Sequence, residues 1–156
     1  MIHDELVHAS VHSGMRGSRV DPAKRVGFKH NDPEDFARVV RSITQIQSQE
    51  SEVGTSSRGR EGGGTVFVAL ESLYSMDGDF APLPALLDIL DQHIPRHRQY
   101  VVVDEAHSTG VYGAQGRGVV HALQEQGRVG VRLMTFGKAV GCSGGESISV
   151  PHPVVA

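Results

Sequence analysis

The sequence predicts an α/β fold built on a mainly parallel sheet with helices on both faces. Three observations carry that reading. Residues 65–72 (TVFVALES) and 99–104 (QYVVVD) are apolar almost throughout, as strands buried on both faces are. Segments with the 3.6-residue apolar period of helices alternate with such runs. The runs also stop abruptly at polar, chemically able residues, as strands do when their C-terminal ends border a ligand crevice.

Each element has its own signal. Residues 5–18 read as a short helix and 25–30 (RVGFKH) as a short strand. Asn31 or Asp32 followed by Pro33 and Glu34 is a helix start, with a capping oxygen and then proline and an acid in the first turn. The helix expected over 33–47 puts Phe36, Val39, Val40, Ile43 and Ile46 on one face. Residues 48–64 (SQESEVGTSSRGREGGG) are polar, rich in Gly and Ser and without a period, which predicts a flexible surface insertion. The strand at 65–72 follows. A helix over 82–93 is centred on Leu86, Leu87, Ile89 and Leu90, then come a strand at 99–104, a helix at 117–126 and a strand at 128–136. Residues 1–145 are thus expected to form one partial large domain, and 146–156 a divergent tail.

Composition narrows the function classes. A chain of 156 residues with net charge −3 and scattered basic residues lacks the positive footprint of nucleic-acid binding. A single cysteine, Cys142, permits no internal disulfide and no cysteine metal cluster, and is read as a small packing residue. No run is long and apolar enough to span a membrane. The first residues have neither the basic nor the apolar region of a signal peptide, so a cytoplasmic location is expected.

The strand ends pose the chemical question. They read Ser72-Leu-Tyr-Ser75, Asp104-Glu-Ala-His107 and Thr135-Phe-Gly-Lys138. The tetrapeptide at 104–107 (DEAH) is the signature of a helicase-type ATPase, whose acids hold magnesium beside a nucleotide. That chemistry also needs a glycine-rich phosphate loop carrying a lysine. The GREGGG stretch has no lysine and precedes a strand rather than following one. The second chemistry is that of pyridoxal phosphate, which needs a lysine for a Schiff base and an acid for the ring nitrogen. Lys138 stands among Gly137, Ala139, Gly141 and Ser143, where small neighbours leave room for a bulky group. Asp104 ends an apolar strand one crossover earlier. A carboxylate about 4 Å from a pyridinium is worth roughly 4 kcal/mol at an effective dielectric near 20. Taken singly, His8 is a surface histidine, Ser75 a turn residue, Thr135 a strand residue and Lys138 a solvated lysine.

Five motifs taken together say more. They are Asp4-Glu-Leu-Val-His8-Ala-Ser10, then His30-Asn31-Asp32, Glu71-Ser-Leu-Tyr-Ser75-Met-Asp-Gly-Asp79, Asp104-Glu-Ala-His107-Ser-Thr-Gly110 running into Gly116-Arg117-Gly118, and the lysine segment 135–145. In this order the chain resembles the α-oxoamine synthases. These are pyridoxal 5'-phosphate enzymes of the aspartate-aminotransferase fold type that condense an amino acid with an acyl-CoA and release carbon dioxide. The resemblance implies that Lys138 bonds the cofactor and moves the substrate α-proton. It implies that Asp104 pairs with the pyridinium nitrogen, that His107 and Ser75 lie at the phenolic oxygen, that His8 stacks on the ring and that Thr135 holds the phosphate. It also implies a homodimer, with sites between the subunits. Against the family, the chain begins after an N-terminal segment carrying a phosphate-clasping turn. It stops before a C-terminal domain carrying an arginine for the substrate carboxylate. A central fragment, inactive alone, is therefore expected.

Overall fold

The computed structural model describes residues 1–52 and 64–149. Strand β1 (Ile2–Asp4) leads to helix α1 (Ala9–Gly17), strand β2 (Val26–Phe28) and helix α2 (Pro33–Glu52). Strand β3 (Val66–Glu71) follows, then a small hairpin, β4 (Leu73–Tyr74) and β5 (Asp79–Phe80), and helix α3 (Leu83–His93). Strand β6 (Gln99–Asp104), helix α4 (Val119–Ala122), strand β7 (Val131–Thr135) and strand β8 (Gly145–Ser149) complete it.

The main sheet has the order β2-β1-β3-β6-β7-β8. All its pairings are parallel except β7 with β8. The β2-to-β3 and β3-to-β6 crossovers run in one direction along the sheet. Right-handed connection therefore sends α2 and α3 to the same face. There they bury Phe36, Val39 and Val40 of α2 and Leu83, Leu86, Leu87 and Leu90 of α3 against Ile2, Phe28, Val68, Leu70, Val101 and Val103. Each such leucine contributes about 1.5–3 kcal/mol on burial. The β1-to-β2 crossover runs the other way, which assigns α1 to the opposite face. The covering of that face is thinner. Alternate residues of β3 and β6, such as Phe67 and Tyr100, are only half-buried, with their rings 5.3 Å apart.

Local chemistry explains the ends. Asp32 Oδ1 accepts the N–H groups of Glu34 at 2.9 Å and Asp35 at 3.0 Å, capping α2. Several expectations need correction. Helix α2 runs to Glu52, so residues 48–52 are helical where the flexible insertion was expected. The rest of that insertion, 53–63, lies outside the described residues. Strand β1 was not foreseen, and the first helix begins only at Ala9. The helix expected over 117–126 shrinks to one turn. Gly118 (φ +88°) starts it and Gln124 (φ +59°) turns the chain away just beyond. Part of the expected tail is a strand, since β8 pairs along β7 from Gly145 to Ser149. Cys142 is exposed rather than packed.

Candidate active site

Strands β3, β6 and β7 are parallel and in step, with Glu71 opposite Asp104 and Asp104 opposite Leu133. Their C-terminal ends therefore deliver side chains to one edge of the sheet. Asp104 is buried, and its Oδ1 accepts the Ala106 N–H at 2.8 Å. Its own carbonyl accepts the Ser72 N–H at 2.9 Å, tying the ends of β3 and β6 together.

Beyond β7 the chain folds back on itself. Gly141 N–H donates to the Lys138 carbonyl at 3.0 Å and Cys142 N–H to that of Phe136 at 2.8 Å. This turn presents Lys138, whose Nζ lies 2.7 Å from His107 Nε2. Burial and then the Lys138 charge hold the His107 imidazole below its ordinary range, with Asp104 opposing them. A neutral imidazole is the form that can accept a hydrogen bond from the lysine. His8 caps α1, its Nδ1 accepting the Ser10 N–H at 3.2 Å, and it lies close enough to interact electrostatically with both His107 and Glu71. Thr135 ends β7 with its Oγ1 buried and without a hydrogen-bond partner among the described residues. Lys138, His107, Asp104 and His8 thus share one electrostatic neighbourhood. Ser75 is exposed at the start of the β4–β5 turn, where Gly78 (φ +72°) donates its N–H to the Tyr74 carbonyl.

Three further groups frame this edge. Asp4, fully buried, accepts the N–H groups of Leu6 and Asn31 at 2.9 Å and meets His30 Nδ1 at 2.9 Å. His30 Nε2 reaches Asp79 at 3.1 Å. Burial alone would lower the His30 pKa, but the two carboxylates outweigh it and raise it. Asp79 also accepts Asn31 Nδ2 at 2.9 Å, which ties it into this cluster. Glu71 is buried, and its Oε1 accepts the His8 N–H at 2.6 Å. Burial and Asp104 raise its pKa, against the hydrogen bond from the His8 N–H and the Lys138 charge.

The third group is Glu105, fully buried, which accepts Arg132 Nε at 2.6 Å, Val120 N–H at 2.9 Å and Ser108 Oγ at 3.2 Å. The second acid of the 104–107 motif is thereby committed to holding the chain together. Glu71 could have been found from the sequence, since like Asp104 it is an acid closing an apolar strand. Arg132, a lone charge inside an apolar strand, signals a buried partner in the same way.

A family model for aminotransferase class I and II matches residues 1–155. The chain belongs to that family. Among curated proteins, 8-amino-7-oxononanoate synthase of Emericella nidulans is 43% identical over 144 residues, covering 92% of this chain and 32% of that protein. The aminoacyl transferase sphA of Byssochlamys spectabilis is 38% identical, covering 92% and 28%. Among solved structures, a serine palmitoyltransferase variant from S. paucimobilis with a bound PLP–myriocin aldimine superposes with a TM-score of 0.73 at 32% identity, covering 97% of this chain and 32% of that one. The chain spans about a third of the length of these relatives. This aminotransferase-class chain has, among its described residues, no helix long and apolar enough to cross a membrane.

Proposed function

We propose that this chain supplies the central part of a pyridoxal phosphate-dependent acyltransferase that condenses an amino acid with an acyl-CoA. The observation that carries the reading is Lys138 Nζ at 2.7 Å from His107 Nε2, on the sheet edge that also bears Asp104. The residues fit the cofactor. The unpartnered Thr135 Oγ1 is a donor awaiting an anion such as a phosphate. The glycines around Lys138 leave its side chain unobstructed, a Cβ at Gly137 meeting only Cys142 O at 3.8 Å. Pyridoxal phosphate supplies an electron sink for a carbanion at the substrate Cα. Asp104 holds a proton at the ring nitrogen, its negative charge favouring the cation. His107, whose imidazole is held below its ordinary range, accepts a hydrogen bond from Lys138 Nζ and orients that amine toward the site. By the family resemblance, His8 would pack on the ring face, and Ser75 and His107 would hold the phenolic oxygen.

Within this class the proposed activity is that of an 8-amino-7-oxononanoate synthase, joining alanine and pimeloyl-CoA in biotin biosynthesis. The similarity to the Emericella nidulans protein favours it. A serine palmitoyltransferase-like activity is the second reading, favoured by the match to that enzyme's structure. A 5-aminolevulinate synthase-like activity or a non-catalytic remnant stands behind both. The working form is proposed to be a cytoplasmic homodimer, and the 156 residues alone are expected not to turn over.

A chimaera tests this, with the present chain replacing the matching third of the Emericella nidulans enzyme. It is expected to release coenzyme A from pimeloyl-CoA with alanine and to lose this on Lys138→Ala. Preference for palmitoyl-CoA with serine would move the reading to the second activity. Activity that survives Lys138→Ala would end both.

A further inference from the structure

Glu71 is an acid in an awkward place. It closes β3, directly opposite Asp104 in the sheet register, and is 6% exposed. Two carboxylates side by side at a buried strand end repel each other. Among the described residues no cation lies in hydrogen-bonding contact with Glu71 to offset that cost. What it does hold is a main-chain group: Oε1 accepts the His8 N–H at 2.6 Å, across 63 residues of sequence.

We propose that Glu71 is a positioning residue for His8, its carboxylate anchoring the entry of α1 and with it the His8 ring at the strand end that Glu71 shares with Asp104. Both ends of this link are fixed. The Glu71 N–H donates to Tyr74 Oη at 3.2 Å, and the Tyr74 ring stands edge-on to His30 at 4.5 Å. His30 is gripped by Asp4 from the end of β1 and by Asp79 from β5. On the other side, the His8 ring is held by Ser10, whose Oγ lies 2.9 Å from Nδ1. Glu71 thus sets the backbone of His8 and Ser10 sets its ring. A short side chain at position 71 leaves the ring oriented but the helix entry untethered. A side chain of the right length that keeps an oxygen acceptor suffices, whatever its charge.

The functional consequence rests on the cofactor reading above, but the positioning does not, so the two are measured separately. In the 156-residue chain, hydrogen exchange at the His8 amide and the ring signals of isotope-labelled His8 report the link directly. Glu71→Gln keeps the acceptor at the same reach and is expected to leave both unchanged. Glu71→Asp keeps the charge but shortens the reach, and is expected to cut His8 amide protection about tenfold and shift the ring signals. Glu71→Ala is expected to match Glu71→Asp. If the alanine variant does not fold, the comparison of Gln with Asp stands alone. Unchanged His8 protection in Glu71→Asp would overturn the proposal, as would a loss in Glu71→Gln equal to that in Glu71→Asp. In the chimaera loaded with pyridoxal phosphate, the cofactor's visible circular dichroism is expected to fall in Glu71→Asp and to be restored in Glu71→Gln. A chimaera that binds no pyridoxal phosphate, while His8 still responds to Glu71→Asp, would refute the function and leave the positioning intact.

Discussion

Replacing Arg132 with methionine should strip the buried Glu105 carboxylate of its cation while keeping the volume of the side chain. Glu105 is fully buried and Arg132 is 12% exposed, with Nε and one Nη both on Glu105 Oε2. Removing one partner of a buried pair costs about 3–5 kcal/mol, because the remaining charge is left in low dielectric. Here Glu105 Oε1 keeps the Val120 N–H and the Ser108 hydroxyl, so the lower end, about 3 kcal/mol, applies. Arg132 also donates to the Arg117 carbonyl, and its loss frees the segment leading into α4. A domain of this kind is stable by about 5–15 kcal/mol in total. With a slope of about 1–3 kcal/mol per molar urea, the unfolding midpoint should fall by about 1–3 M at unchanged slope. Glu105→Gln combined with Arg132→Met should recover most of that loss, because it leaves no charge to strand. An Arg132→Met variant within about 0.5 kcal/mol of the parent would refute the reasoning.

Other expectations follow from the same packing. Gly118→Ala puts a Cβ 2.4 Å from Glu105 Oε1 at φ +88° and should cost about 1–3 kcal/mol for the backbone alone, read by thermal unfolding. Leu87→Ala empties a fully buried site between α2, α3 and the sheet and should cost about 2–5 kcal/mol by denaturant titration. His30 has a raised pKa in the folded chain, because Asp4 and Asp79 outweigh its burial. The folded state therefore holds its proton more tightly than the unfolded state does. This contribution to stability is complete below about pH 6.5 and is lost as pH rises through the folded value. His30→Asn should flatten that part of the stability–pH curve, and an unchanged slope would count against the Asp4–His30–Asp79 cluster.

How far the sequence could be read depended on whether a residue's partner was near in the chain. The runs at β3 and β6 were legible because strands buried on both faces carry almost no polar residues, and their boundaries follow from the acids that end them. The α2 start was legible because Asp32 caps it through bonds that reach only three residues. Its C-terminal end was not, because residues 48–52 lack an apolar period and yet continue the helix. Strand β1 was missed because three residues hold no period at all and exist only through β2 and β3 on either side. The closeness of Lys138 to His107 followed from two strand ends on one sheet. The work of Glu71 and Glu105 did not, since their partners lie 63 and 27 residues away in the chain. Only the fold makes those pairs adjacent.

The most direct test is covalent trapping of pyridoxal phosphate in the chimaera, by borohydride reduction followed by peptide mass mapping. A pyridoxyl group on the peptide containing Lys138, absent from the Lys138→Ala variant, is the predicted result. A label confined to some other lysine of this chain, or no label at all from a folded chimaera, would contradict the assignment of Lys138 and of the site around it.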